Sequence, residues 1–272
     1  MDKYSRIMNR LQENYNVVVE MGYEIVGIFL QGSQNYQLDY EGSDIDCKAI
    51  ILPKFNDFVL NNKMVSTTHV LENNEHIDLK DIRLMFDCFK KQNINFIEIL
   101  FTKYKIINPK YAALFQELLD NNEMIARYNN YASVNCISGM SLEKYKALEH
   151  PYPATIEKIK KFGYDPKQLH HIIRLNEFIQ RYISGESYKD CLISKNTDYL
   201  IAVKKGIHSL EEARKIAKML SEETVKIKND YMDSNKPMIN KVVEDILNKV
   251  LLNIMKFNFK SELMEVNTIC QN

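Results

Sequence analysis

The spacing of apolar residues changes its period near residue 105, and that switch limits the chain to a mixed N-terminal unit followed by a helical one. Before it, short apolar runs end in turn residues. EIVGIFLQ runs into Gly32-Ser33 and SDIDCKAIIL stops at Pro53, so each reads as a strand. VSTTHVLENNEHIDLKD reads as a hairpin with a polar tip at Glu72–Glu75. In its return strand His76, Asp78 and Lys80 share one face, and Ile77 and Leu79 the other. Residues 3–21 carry a helical stripe, and Asp81 caps a helix whose Ile82, Met85, Phe86 and Phe89 face one way. Beyond about residue 105 only helical stripes remain, over roughly 109–129, 130–148, 165–184, 209–231 and 237–257, punctuated by Gly163, Gly185, Gly206 and Pro237. The expected fold class is α+β: a small mixed sheet over residues 1–107, an all-helical domain over 108–272, and a cleft between them.

Charge narrows the function classes. Basic and acidic residues balance at 36 each, with 15 acidic against 12 basic up to residue 108 and the reverse bias after it. A neutral chain does not coat duplex DNA by charge alone. The apolar runs are far shorter than the roughly 20 residues of a membrane span. The charged start MDKYSRIMNRL lacks a signal-peptide core, so a cytoplasmic protein is expected. Cys47, Cys88, Cys136, Cys191 and Cys270 are scattered and odd in number, and read as free thiols.

Asp44 and Asp46 stand one residue apart at the mouth of an apolar strand. Residues i and i+2 of a strand point to one face, so the two carboxylates project together while Ile45 and Cys47 turn inward. Close carboxylates raise one another's pKa unless a cation lies between them, and magnesium prefers such hard oxygen ligands. Ten residues earlier, Gly32-Ser33 closes the preceding strand. A Gly-Ser turn entering a helical segment offers backbone N–H groups and a hydroxyl to a phosphate. Asp78, on the polar face of the hairpin's return strand, is a third carboxylate able to meet the first two.

The stretch GSQNYQLDYEGSDIDCKAIIL resembles the signature of the nucleotidyltransferase superfamily that includes DNA polymerase β and poly(A) polymerases, and within it the RNA-repair-pathway DNA polymerase β family. HIDLKDIRLMFDCFKKQNINFIEILF, YDPKQLHHIIRL and AVKKGIHSLEEARKIA resemble later parts of that family. Gln34, Gln37 and Lys48 depart from its commoner Arg, Gly and Arg; Lys48 keeps the charge and loses the bidentate fork. The resemblance implies a polymerase-β-like catalytic domain over residues 1–107. It implies two Mg2+ ions, replaceable by Mn2+, held by Asp44, Asp46 and Asp78, which would also be the catalytic residues. Gly32 and Ser33 would grip the β- and γ-phosphates of a nucleoside triphosphate, with Lys48 beside them. The implied reaction moves a nucleoside monophosphate to a hydroxyl on an RNA 3′ end, a protein or a small molecule. The alternative is a catalytically silent nucleotide-binding module on the same fold.

The helix at 165–184 supplies the opposite charge. Asp165 is its expected N-cap and Pro166 its first residue. Lys167, His171 and Arg174 fall on one face, with Leu169, Ile172, Ile173 and Phe178 opposite. Beside an acidic site, Lys167 and Arg174 would neutralise a triphosphate and His171 would donate to it or contact the acceptor. His170 points elsewhere and reads as structural. Tyr36 reads as packing, as do most tyrosines near 111–152, and Glu98 as a buried partner for a cation.

Overall fold

The central strand dictates the rest of the architecture. CKAIIL, buried along its whole length, can exist only with elements on both edges and both faces. The computed structural model describes residues 1–40 and 42–269. In it, strands Glu24–Leu30 (β1), Cys47–Leu52 (β2), Ser66–Val70 (β3), His76–Asp81 (β4) and Lys105–Ile107 (β5) form one sheet in the order β3-β4-β2-β1-β5. The β2–β4 pair is parallel and the others antiparallel, so the sheet is mixed, as expected. The parallel register sets Lys48 opposite Asp78. β4 buries Ile77, Leu79 and Asp81 and leaves His76, Asp78 and Lys80 half-buried, which is the expected alternation.

The helices are Lys3–Glu20 (α1), Phe55–Val59 (α2), Ile82–Lys90 (α3), Ile94–Ile97 (α4), Ala112–Asp120 (α5), Asn122–Ala126 (α6), Asn130–Ala147 (α7), Ile156–Phe162 (α8), Pro166–Ile183 (α9), Tyr188–Leu192 (α10), Thr197–Lys204 (α11), Leu210–Ser234 (α12) and Lys241–Ile269 (α13). α1 covers one face of the sheet, where Ile7, Leu11 and Val18 pack with Ile28, Ala49, Ile77 and Leu79. On the other face Val26, Phe29 and Ile50 join a core that runs without a break to Phe178 of α9 and Val243 of α13. Among the described residues only helices follow β5, yet one apolar core spans that point. α13 returns to the sheet, where Asn258 Nδ2 donates to the Pro53 carbonyl and Asn258 Oδ1 accepts from the Tyr111 hydroxyl.

Three local expectations need correcting. Asp44 and Asp46 precede β2 and are not part of it, although the Gln31 N–H donates to the Asp46 carbonyl and extends the β1–β2 ladder one step. β5 was not expected. Its three residues become a strand because Gly27–Phe29 presents an open edge for them. α8, α10 and α11 are also additions, all of eight residues or fewer and too short to show a stripe. Cys47, Cys88, Cys136 and Cys191 are free thiols; Cys270 lies outside the described residues. Among those residues no helix is long and apolar enough to cross a membrane.

Candidate functional site

The acidic side of the site is built by two turns. After β1 the chain enters a 3-10 turn, Ser33–Tyr36, through Gly32 at φ +83°. A Cβ there would touch nothing within 4 Å, so the backbone angle and not crowding calls for glycine. Asn35 Nδ2 fastens the turn to the Leu30 carbonyl at 2.8 Å, and the Thr102 hydroxyl donates to Asn35 Oδ1 at 2.7 Å. The loop then returns through a tight turn in which the Tyr40 N–H donates to Ser43 Oγ and the Ser43 N–H to the Tyr40 carbonyl. Asp44 follows, exposed and without a hydrogen bond. Asp46 is held: its Oδ1 accepts the His76 N–H at 2.9 Å and lies 3.2 Å from His76 Nδ1.

The basic side comes from α9. Asp165 caps it through the Lys167 N–H and Pro166 opens it, both as expected. Leu169, Ile172 and Phe178 are buried beneath. Lys167, His171 and Arg174 face the two aspartates across a cavity of about 340 Å3, whose lining includes Gly32, Ser33, Tyr36, Asp44 and Asp46. The structure thus brings seven expected residues into one cavity: Gly32, Ser33, Asp44, Asp46, Lys167, His171 and Arg174.

Two expected residues are elsewhere. Asp78 and Lys48 are absent from the lining and pair with each other, Nζ to Oδ2 at 2.7 Å, with the Lys48 ammonium over the Phe96 ring. The β2–β4 register makes them direct neighbours, and a lysine buried in a central strand takes the carboxylate it is given. Among the described residues no group of three His, Cys, Asp or Glu side chains gathers as a metal site, so the three-carboxylate cluster is not formed.

The cavity also holds residues that the sequence reading missed. Lys204, at the end of α11, reaches into it half-buried, with Nζ 3.3 Å from the Leu38 carbonyl and above the Tyr40 ring. Burial, then neighbouring Lys167, lowers its pKa, while Asp39 and Asp44 pull the other way. Lys158 of α8 joins it. Lys158 has no local signal, and Lys204 lies within the family-like stretch AVKKGIHSLEEARKIA without being marked as a site residue, since a lysine near a helix end is ordinary. The lining therefore sets four cationic side chains, Lys158, Lys167, Arg174 and Lys204, against two carboxylates. His170 lines it too, though its Nδ1 donates to the Leu200 carbonyl. Burial, with Arg174 next, drives the His170 pKa down to about 3, and burial and His170 hold His171 well below the ordinary imidazole value. Burial thus disfavours the charged form of both rings.

Arg174 is the unusual member. It is 5% exposed, its guanidinium lies 4.1 Å from the Tyr36 ring centroid, and its buried Nε and Nη1 have no hydrogen-bond partner. Glu98, 4% exposed, lies behind it with Oε2 equally unpartnered and no salt bridge closing the gap. Burial pushes Glu98 up to about 8, against the pull of Arg174 and the Gly32 amide. Tyr36, also in the lining, stacks on the cation, Glu98 makes no bond to it, and Tyr111 and Tyr128 are core residues. A buried cation with unused donors is costly unless an anion meets it.

The donor set at Asp44 and Asp46 suits a hard divalent cation such as magnesium: two carboxylates, with only Asp46 Oδ1 engaged among the described residues, at the edge of a solvent-accessible cavity. No protein-family model and no curated protein matches the chain. A solved structure similar to it is a nucleotidyltransferase-like protein from Exiguobacterium sibiricum, at 11% identity and a TM-score of 0.31 over 91% of this chain and 80% of that one. So low a score carries no argument.

Proposed function

We propose that this cavity binds the phosphates of a nucleoside triphosphate and that the protein transfers the nucleoside monophosphate to a hydroxyl acceptor, releasing pyrophosphate. The observation that carries the reading is the opposition, within one cavity, of Asp44 and Asp46 to the partnerless Arg174 guanidinium and three lysines. That arrangement suits a ligand that is polyanionic along its length and carries a cation at one end. Asp44 and Asp46 would hold magnesium, which when bound offsets phosphate charge and polarises the group being transferred. Arg174, Lys167 and Lys204 would meet the outer phosphates, where charge grows as pyrophosphate leaves. The Gly32-Ser33 turn would bring backbone and hydroxyl donors to the same anion. RNA 3′ ends, protein side chains and small molecules remain the acceptor classes.

One observation favours a second reading, a catalytically silent nucleotide-binding module. Asp78, the carboxylate that would serve the acceptor hydroxyl, is neutralised by Lys48 outside the cavity. The deciding experiment incubates each α-labelled NTP and Mg2+ or Mn2+ with wild-type protein or Asp44→Asn, offering total RNA and cell protein as acceptors. Transfer by the wild type alone supports the enzyme. Tight NTP binding with no transfer to any acceptor supports the silent module. No NTP binding at all sinks both.

A further inference from the structure

We infer that Glu75, in the turn between β3 and β4, is a positioning residue that sets the Asp44-Ile45-Asp46 segment for cation binding. The inference rests on the reading of Asp44 and Asp46 given above and adds the device that holds them.

A short segment carrying two like charges has reason to splay, and its backbone bond to β1 is a single one, from the Gln31 N–H to the Asp46 carbonyl. The residue between them is fixed from outside. Glu75 Oε1 accepts the Ile45 N–H at 3.0 Å, and Ile45 is buried against the α1 face of the sheet. The next residue, His76, donates its own N–H to Asp46 Oδ1. The last residue of the turn and the first of β4 therefore grip two of the three residues of the segment, Glu75 at the Ile45 backbone and His76 at the Asp46 side chain.

Glu75 is itself fixed more firmly than a surface turn requires. It is 8% exposed. Its Oε2 receives Arg10 Nε of α1 at 3.1 Å and Asn73 Nδ2 at 2.9 Å, and its N–H donates to Asn73 Oδ1. The Leu71 N–H closes the turn on the Glu75 carbonyl. A chain of contacts thus runs from α1 through Arg10 and Glu75 to the backbone between the aspartates. A buried carboxylate with every such bond made resists displacement, because moving it leaves both it and the Ile45 amide unsatisfied. The turn is clear of the cavity lining, so Glu75 acts through the segment and not on the ligand.

The test uses the full chain, Mn2+ as an EPR-visible probe, and amide exchange. In Glu75→Ala the Ile45 amide should exchange faster than in wild type, and Mn2+ affinity should fall by about 10–100-fold, the range typical of losing an outer support of a metal ligand. Glu75→Gln keeps an acceptor for Ile45 and should bind Mn2+ nearly as wild type. If Glu75→Ala does not fold, Glu75→Asp decides: it keeps the charge but is too short for Ile45, and should lose both protection and affinity. Unchanged Ile45 exchange in Glu75→Ala or Glu75→Asp overturns the clamp. Wild-type Mn2+ affinity in them, where Asp44→Asn has lost it, also overturns the clamp while leaving the site reading intact. Wild-type protein that binds no Mn2+ overturns the site reading, and the clamp's purpose with it.

Discussion

Lys48 and Asp78 face each other across the parallel β2–β4 register at 2.7 Å, the lysine side chain 5% exposed and the aspartate 20%. Removing one member leaves the other's charge buried without its partner. Asp78→Ala should therefore destabilise the protein by about 3 kcal/mol, the low end of the range for breaking such a pair, and Lys48→Met with Asp78→Leu should recover most of it. Urea titrations of the two single variants and the double variant check this. Additive losses would show that the pair is not coupled.

Arg174 should separate stability from binding. Its guanidinium makes no hydrogen bond, so Arg174→Met removes an unsatisfied buried cation and lets Glu98 stay neutral. The nucleotide-free melting temperature should hold or rise. ATP binding should weaken by about 10²–10³-fold if the lost donor acts as charge-stabilising donors do in closed sites. Arg174→Lys should restore only part, lacking the planar fork. Calorimetry with ATP and Mg2+ reads both, and unchanged affinity would remove Arg174 from the site.

Lys204 reaches the cavity from α11 and contacts the Leu38 carbonyl by a long 3.3 Å bond, a tie that an anion can outcompete. Lys204→Gln should weaken ATP binding by about tenfold, a loss near 1.4 kcal/mol. It should also flatten the salt dependence of binding. Equal slopes of affinity against ionic strength in variant and wild type would show that Lys204 does not meet the phosphates.

Asp44 and Asp46 should be dispensable for folding. Replacing either with asparagine relieves repulsion that only a cation otherwise offsets. The metal-free melting temperature should stay level or rise slightly, the stabilisation by Mg2+ plus ATP should vanish, and transfer should cease. Near-wild-type transfer by either variant would mean that the carboxylates hold no catalytic cation.

The acid–base behaviour of the buried groups has a defined sign. Glu98 is pushed up to about 8, chiefly by burial, from an ordinary 4.5. The folded state therefore binds its proton more tightly, and that contribution is complete below pH 4.5 and lost as pH rises towards 8. His170 is pushed down to about 3 from 6.5, so its contribution is present above pH 6.5 and lost as pH falls towards 3. Glu98→Gln, which cannot ionise, should gain stability relative to wild type steadily from pH 5 to 8. A difference independent of pH would mean that Glu98 is not buried as an acid.

The order and type of the long elements, and seven residues of the cavity lining, are written in local sequence. Apolar spacing specifies α1, α9 and β4 because each buries one face of a periodic element, and that period is written locally. Asp165 and Pro166 mark the start of α9 for a similar reason: a cap is satisfied within its own first turn. Gly32, Ser33, Asp44 and Asp46 were legible because a turn and a two-residue spacing are local facts as well. Lys167, His171 and Arg174 followed from the helical period, which puts them on one face but says nothing of their burial. Tertiary structure decided the rest. The β2–β4 register gave Asp78 to Lys48, β5 became a strand only where β1 left an edge open, and α8 and α11 delivered Lys158 and Lys204 to a cavity they do not resemble in sequence. Register and packing depend on residues far apart in the chain, so no short stretch records them. Glu75 shows this most plainly, since it looks like a polar turn residue until the fold places the Ile45 amide against it.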